Sequence, residues 1–219
     1  MEEINFLAAY QKATKRDYVQ RVVDHDKAES AAVAKQWGYD YWDGDRRYGY
    51  GGYSYDGRWL PIARDIARHY GLKAGDRVLD VGCGKAFLLY ELGQVVPGLD
   101  VVGIDVSEYG LVHAKEEMRG KLQQGDAAVL PWPDQSFDLV ISLNTFHNLR
   151  IPDLERAVKE MERVGRQKWL CVESYRTERE KMNLLYWQLT CASFFDTEEW
   201  VWLLTKWGYS GDYGFIFFE

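Results

Sequence analysis

The chain has 219 residues, of which 47% are apolar and 28% charged, and its net charge is −7. This length suits one α/β domain and is short for two. The acidic balance argues against nucleic acid as a partner, and no apolar run approaches the ~20 residues that span a bilayer, so we expect no membrane partner. The first ten residues lack a secretory signal. Three widely spaced cysteines support neither a disulfide framework nor a metal site, so we expect a cytoplasmic setting.

The first 70 residues are predicted to form an N-terminal cap. Residues 1–35 mix apolar and charged side chains without Pro or Gly, which favours helix. Residues 37–59 hold nine aromatic residues and six glycines, and we call them the aromatic–glycine segment. Because glycine permits turns, we expect this segment to be irregular and to act as a mobile lid. A short helix follows from Ile62 to Tyr70, entered through Pro61.

From residue 71 onward, strands and helices alternate. The apolar runs predict strands over residues 77–81, 101–105, 121–124, 137–143 and 168–173, followed by a terminal β-rich piece over 209–218. Helical patterns fall at residues 87–96, from 107 to about 118, at 154–164 after Pro152 and Asp153, and at 197–207. The alternation predicts an α/β fold, a Rossmann-like sheet of seven mostly parallel strands with helices on both faces. One edge strand is expected to be antiparallel, and residues 71–219 form the core.

The strongest chemical signal is a glycine-rich turn after the first strand. Gly82, Cys83 and Gly84 follow Asp80 and precede a helix. Such a turn lets backbone N–H groups approach a pyrophosphate or an amino-acid carboxylate. A tight turn with no ligand is the alternative. Asp105 ends the second strand, where a carboxylate can hold ribose hydroxyls.

A further aspartate follows the third strand. Asp126 can accept a hydrogen bond from an exocyclic amine such as that of adenine. Each aspartate alone is more often a solvated strand end. Together with the glycine turn, however, they stand at the carboxyl ends of three strands, which points to one ligand crevice.

These residues resemble the class I S-adenosylmethionine-dependent methyltransferases, in particular small-molecule enzymes of the type 11-like kind. The resemblance is carried by VLDVGCG (78–84), GIDVS (103–107) and GDAAVLPWPDQSFDLVIS (125–142). It covers residues 71–165 well and the remainder loosely. It implies transfer of the methyl group of S-adenosylmethionine to an oxygen or nitrogen of a small-molecule acceptor by direct displacement, with S-adenosylhomocysteine as product. The cofactor-binding residues that it implies are Asp80, Gly82, Cys83, Gly84, Asp105, Val106, Asp126, Ala127 and Asn144. Ala86 departs from the glycine that the family often has there.

Two residues at the next strand ends are predicted to be catalytic. His147 can take a proton near neutral pH, and Glu173 can do so if it is buried, or can pair with a cationic amine. A hydrogen-bonded structural histidine and a salt bridge from Glu173 to Arg176 are the alternatives. The reaction need not use a base, since positioning in a desolvated pocket supplies most of the effect.

Acceptor contacts are expected from the aromatic–glycine segment and from an insertion at about residues 176–196. Ring faces suit a cationic sulfonium, and an arginine fork suits an anionic acceptor. A packed cap, with its arginines paired to nearby aspartates, is the alternative. The candidate substrate-binding residues are Tyr50, Tyr53, Arg58, Trp59, Tyr175 and Trp187.

Two other functions remain open. An NAD-dependent oxidoreductase shares the ribose-binding aspartate, but its fingerprint has glycine where Phe87 stands. A non-catalytic cofactor-binding subunit of the same fold would have side chains filling the pocket above Asn144. The surplus of aromatic residues also suits the interface of a homo-oligomer.

Overall fold

A computed structural model describes residues 1–8 and 17–219. Within these residues the strands are β1 (Arg77–Val81), β2 (Asp100–Asp105), β3 (Leu122–Gln124), β4 (Phe137–Leu143), β5 (Gly165–Glu173) and β6 (Asp212–Ile216). The helices are α1 (Tyr18–Val23), α2 (Lys27–Ala34), α3 (Tyr39–Trp42), α4 (Leu60–Tyr70), α5 (Phe87–Val95), α6 (Glu108–Val112), α7 (Ile151–Val164), α8 (Glu178–Trp187) and α9 (Thr197–Lys206). Short 3₁₀ turns lie at Glu116–Met118 and Phe146–Asn148. None of the helices in the described ranges is long and apolar enough to cross a lipid bilayer.

The six strands form one sheet in the order β3-β2-β1-β4-β5-β6. All five pairings between neighbouring strands are parallel. The chain winds outward from β1 in one direction and from β4 in the other. The carboxyl ends of these two central strands therefore border a switch point, which is where open parallel sheets bind ligands.

Helices cover both faces of this sheet, as the sequence predicts. On one face α4 and α5 bury Ile66, Leu89 and Leu92 completely. On the other face α7 and α9 bury Val158 and Trp200 completely. Each such side chain contributes roughly 1.5–3 kcal/mol through the apolar surface that it removes from water. The two cores hold the strand ends rigidly, and the site is built on those ends.

The predictions of a seventh strand and of an antiparallel edge are wrong for the described residues. Helix α9 crosses over between β5 and β6, so β6 returns in the same direction as β5. The stretch before β6 forms a turn instead of a strand, closed by the Tyr209 hydroxyl, which donates to the Asp212 carbonyl at 2.7 Å. The terminal piece therefore supplies one strand.

The chain start also differs from its helical prediction. The helices α1 and α2 agree with it, and residues 9–16 lie outside the described residues. Glu2 to Ile4 instead run parallel to β6, where the Ile4 N–H donates to the Tyr213 carbonyl at 2.7 Å and the Tyr213 N–H donates to the Glu2 carbonyl at 3.0 Å. The helix predicted to reach Met118 ends at Val112, and Met118 is buried in the 3₁₀ turn that follows.

Candidate active site

A cavity of about 640 Å³ lies between the carboxyl ends of the strands and the aromatic–glycine segment. This is within the range of pockets that hold small ligands. All nine predicted cofactor-binding residues lie on its wall. Of the other predicted site residues, Glu173, Tyr50, Tyr53, Arg58, Trp59 and Trp187 also line it, whereas His147 and Tyr175 do not.

Neither glycine of the turn has room for a side chain. Gly82 has a φ of +83°, and a Cβ there would lie 2.2 Å from Thr145 Oγ1. Gly84 has a φ of +54°, and its Cβ would lie 2.5 Å from Trp42 Cη2. Both positions therefore require glycine for conformation and for space. Ala86 adopts a left-handed conformation at the start of α5, with a φ of 56°.

The Asp105 carboxylate holds the glycine turn in place through hydrogen bonds. One carboxylate oxygen accepts from the Gly84 N–H at 2.7 Å, and the other accepts from the Ser107 N–H at 2.7 Å. Burial raises the pKa of Asp105, and these backbone hydrogen bonds oppose that rise. Each carboxylate oxygen has a second lone pair, so the group can also accept from the two hydroxyls of a ribose.

Three buried acceptor atoms on the wall have no hydrogen-bond donor among the described residues: Asp80 Oδ1, Asn144 Oδ1 and Asn148 Oδ1. Burial, and then the Asp105 charge, raise the pKa of Asp80 to about 8. A buried acceptor without a donor costs about 1–3 kcal/mol, which indicates that a ligand supplies donors here. The ammonium of an amino-acid ligand such as S-adenosylmethionine is such a donor, so these residues fit the cofactor.

The outer end of this wall carries Asp126. Its Oδ1 accepts from the Ala128 N–H at 2.8 Å, and the side chain is exposed on the cavity wall. A carboxylate held in this way is oriented for a further donor such as the adenine amine.

Trp42 covers the glycine turn. Its indole is 7% exposed, and Nε1 donates to Ser107 Oγ at 2.8 Å. The Tyr50 ring stacks on it with a centroid distance of 5.3 Å and an interplanar angle of 8°. The aromatic–glycine segment therefore packs directly on the glycine turn. The sequence predicted its tyrosines but not Trp42, because nothing local marks which ring is buried.

An ion pair between the buried Lys85, which follows the glycine turn, and the half-buried Asp43 joins the turn to the aromatic–glycine segment. Lys85 Nζ lies 2.7 and 2.6 Å from the two Asp43 carboxylate oxygens and 2.8 Å from the Tyr53 carbonyl oxygen. Burial acts to raise the pKa of Asp43, but hydrogen bonds from Lys85, the Tyr53 N–H and the Tyr109 hydroxyl together lower it. Sequence analysis missed this pair. Its one available sign was a lysine inside the glycine motif.

Glu173 is 3% exposed and lies at the end of β5 on the cavity wall. Its Oε2 accepts from Gln188 Nε2 and lies 3.4 Å from His147 Nε2. His147 Nδ1 accepts from the Glu173 backbone N–H at 3.3 Å, which leaves the imidazole proton on Nε2, facing the carboxylate. Burial lowers the pKa of His147 to about 3. His147 is thus a neutral donor behind Glu173 and is not placed to take a proton from an acceptor.

Two arginines named in the sequence-based alternatives pair with carboxylates other than Glu173. Arg176 pairs with Glu180 and Glu219 instead of Glu173. Arg58 Nε donates to both Asp56 oxygens, at 2.8 and 2.7 Å.

Of the two remaining predicted contacts, Trp59 lies on the cavity wall and Tyr175 does not. Trp59 Nε1 donates to the Tyr53 hydroxyl at 3.0 Å on the wall. Tyr175 bridges to Asp196 away from the cavity. In the part of the chain that the structure describes, no three His, Cys, Asp or Glu side chains are grouped to hold a metal ion.

Comparison with known proteins agrees with this geometry. Residues 78–168 match the family model described as a methyltransferase domain. A demethylmenaquinone methyltransferase of Lactobacillus johnsonii is 40% identical over 101 residues, which cover 42% of this chain and 41% of the relative. A sterol 24-C-methyltransferase of Gibberella zeae is 34% identical over 124 residues, which cover 50% of this chain and 32% of the relative. The chain therefore spans less than half the length of these relatives.

Solved structures share the fold. The YcgJ protein from Bacillus subtilis superposes with a TM-score of 0.55 at 22% identity, over 69% of this chain and 68% of that one. A putative sarcosine dimethylglycine methyltransferase from Galdieria sulphuraria gives a TM-score of 0.54 at 16% identity, over 69% and 59%. The chain thus carries a match to a methyltransferase domain over residues 78–168, and its fold is shared with these solved structures.

Proposed function

We propose that this protein transfers the methyl group of S-adenosylmethionine to an oxygen or nitrogen atom of a small-molecule acceptor. The observation that carries the proposal is that the glycine turn, Glu173 and the aromatic–glycine segment all line one cavity. In this proposal residues 71–219 are the catalytic core, residues 1–70 are the cap, and the protein works in the cytoplasm.

The cofactor would be held at the ends of β1, β2 and β4. The glycine turn would face the methionine part, with Asp80 and Asn144 accepting from its ammonium. Asp105 would accept from the ribose hydroxyls, and Asp126 from the adenine amine. When bound, S-adenosylmethionine supplies a methyl group already activated by its sulfonium charge.

Glu173 would orient the acceptor. Its carboxylate faces the cavity and is held by Gln188 and His147, so it can accept a hydrogen bond from an acceptor hydroxyl or amine. We assign His147 the role of a positioning residue, because it touches Glu173 and not the cavity. Its neutral imidazole would keep the Glu173 side chain in one rotamer.

The aromatic–glycine segment would exclude water. Trp42, Tyr50 and Tyr53 form a continuous wall of rings above the turn. A water-poor pocket strengthens the electrostatic contacts inside it and holds the two reactants in line.

The two alternatives have less support. Phe87 begins α5 and stacks on Tyr53 with a centroid distance of 5.1 Å, so a ring stands where the NAD fingerprint has glycine. Asn144 lines an open cavity, whereas a non-catalytic subunit is expected to have that space filled.

Calorimetric titration with S-adenosylmethionine, S-adenosylhomocysteine and NAD in parallel tests the proposal. We expect the first two to bind and NAD not to bind, and we expect Asp105→Ala to abolish the binding of both. A screen of small acceptors, followed by release of S-adenosylhomocysteine, then tests turnover. Binding of NAD alone, or of no cofactor, would overturn the proposal.

A further inference from the structure

Two arginines meet at the cavity wall where α8 ends. Arg21 comes from α1, and Arg46 comes from the aromatic–glycine segment. Their guanidinium carbons lie 4.5 and 5.0 Å from the centroid of the Trp187 ring, which also lines the cavity. Elements far apart in sequence thus place two positive charges around one flat ring.

Arg21 satisfies only part of its hydrogen-bonding capacity. Nε donates to the Trp187 carbonyl at 2.8 Å, and Nη1 donates to the Arg46 carbonyl at 3.2 Å. A guanidinium has five N–H donors, so three remain. Both acceptors are neutral, and no carboxylate of the described residues forms an ion pair with Arg21. Burial and the Arg46 charge lower the pKa of Arg21 to about 10, so the group stays charged at neutral pH.

Capping of α8 does not account for this arrangement. Cations stabilise the carboxyl end of a helix, and Arg21 does bind a terminal carbonyl. Lys27, however, already donates to the Leu185 carbonyl of the same helix end from outside the cavity. A cap alone would not require a second and a third cation on the cavity side.

We propose that Arg21 and Arg46 bind an anionic group of the methyl acceptor, a carboxylate or a phosphate. Both groups match the planar fork of a guanidinium, and an anion would offset the positive charge of Arg21, which no carboxylate of the described residues pairs with. The Trp187 ring would support the carbon skeleton next to the anion. This inference rests on the proposed function and names its substrate class, a small anionic acceptor.

The test follows the arginine Nε–Hε signals in nitrogen–proton correlation spectra of the full chain saturated with S-adenosylhomocysteine. Sodium acetate, sodium phosphate and the neutral isostere acetamide are added in turn. The spectra of Arg21→Gln and Arg46→Gln assign the two signals. Arg68→Gln is the matched control, because Arg68 is exposed and pairs with Asp65 on α4.

We expect the Arg21 signal to shift and saturate with acetate, with phosphate or with both, and not with acetamide. The anion that saturates identifies the acceptor group. Arg46→Gln should weaken that affinity about tenfold, since one charge-assisted contact is lost, while Arg68→Gln should not change it. No saturating shift with either anion, an equal response to acetamide, or full affinity in Arg46→Gln would overturn the inference.

Failure of the anion site and failure of the proposed function are separable. Calorimetry with S-adenosylhomocysteine precedes the anion titrations. Absence of cofactor binding contradicts the proposed function, whereas intact cofactor binding without an Arg21 response contradicts only the anion site.

Discussion

Replacing Gly82 with alanine would test the central contact of the site. The residue has a φ of +83°, and a new Cβ would lie 2.2 Å from Thr145 Oγ1 and 2.3 Å from Thr145 Cγ2. The left-handed backbone costs a non-glycine residue about 1–2 kcal/mol, and overpacking adds about 1–3 kcal/mol. We therefore expect Gly82→Ala to lower the free energy of unfolding by about 2–5 kcal/mol.

A control and a double variant separate the two effects. Gly75 has a similar φ of +88°, and a Cβ there would meet nothing within 4 Å, so Gly75→Ala reports the backbone cost alone. Urea unfolding of Gly82→Ala, Thr145→Gly and the combined variant gives their coupling energy. If the clash is with Thr145, the combined variant regains about 1–3 kcal/mol. A loss no larger than that of Gly75→Ala, or a coupling within about 0.5 kcal/mol of zero, would refute the reasoning.

Three further predictions concern charge. Cofactor binding should release a proton near pH 7, because a nearby ammonium favours ionised Asp80, whose pKa is raised to about 8; calorimetry in two buffers of different ionisation enthalpy measures it, and the release should vanish in Asp80→Asn. The pKa of His147 is 6.5 in the unfolded chain and about 3 in the folded protein. The free energy of unfolding should therefore fall by about 1 kcal/mol per pH unit as the pH drops from 6.5 towards 3. That part of the slope should be absent from acid titrations of His147→Asn, and an unchanged slope contradicts the assignment. Lys85→Met should cost about 1–3 kcal/mol in urea unfolding, between the loss for an exposed and for a fully buried ion pair, because half-buried Asp43 is left without its cation. Asp43→Asn in the same chain should recover part of this loss, and an additive loss would argue against the ion pair.

The local sequence pattern was sufficient to predict the bounds of the two central strands. The bounds of β1 and β4 agree with the sequence to the residue, because each apolar run stops at a turn residue, Gly82 or Asn144. The predicted cofactor residues share one wall for a related reason. Parallel strands all end at the same edge of a sheet, so Asp80, Asp105 and Asp126 converge once the alternation is recognised.

The direction of the last strand and the contacts between residues distant in sequence could not be predicted from local sequence patterns. The direction of β6 depends on how α9 crosses the sheet, which no window of residues encodes. Lys85 and Asp43 are 42 residues apart, and Trp42 and Ser107 are 65 apart, so neither contact has a periodic signature. His147 was placed at the correct strand end, but its burial behind Glu173 became apparent only from the packing.

The pairing of Glu2 to Ile4 with β6 bears on how the protein avoids self-association. An outermost strand offers a row of unused N–H and C=O groups that another chain can extend into an aggregate. Here a few residues occupy that row and are anchored inward, since Trp169 Nε1 donates to the Ile4 carbonyl at 3.0 Å and Asn5 Nδ2 donates to the Phe215 carbonyl at 3.1 Å. Deleting these residues would uncover the edge of β6 and leave its N–H and C=O groups open to pairing with another chain.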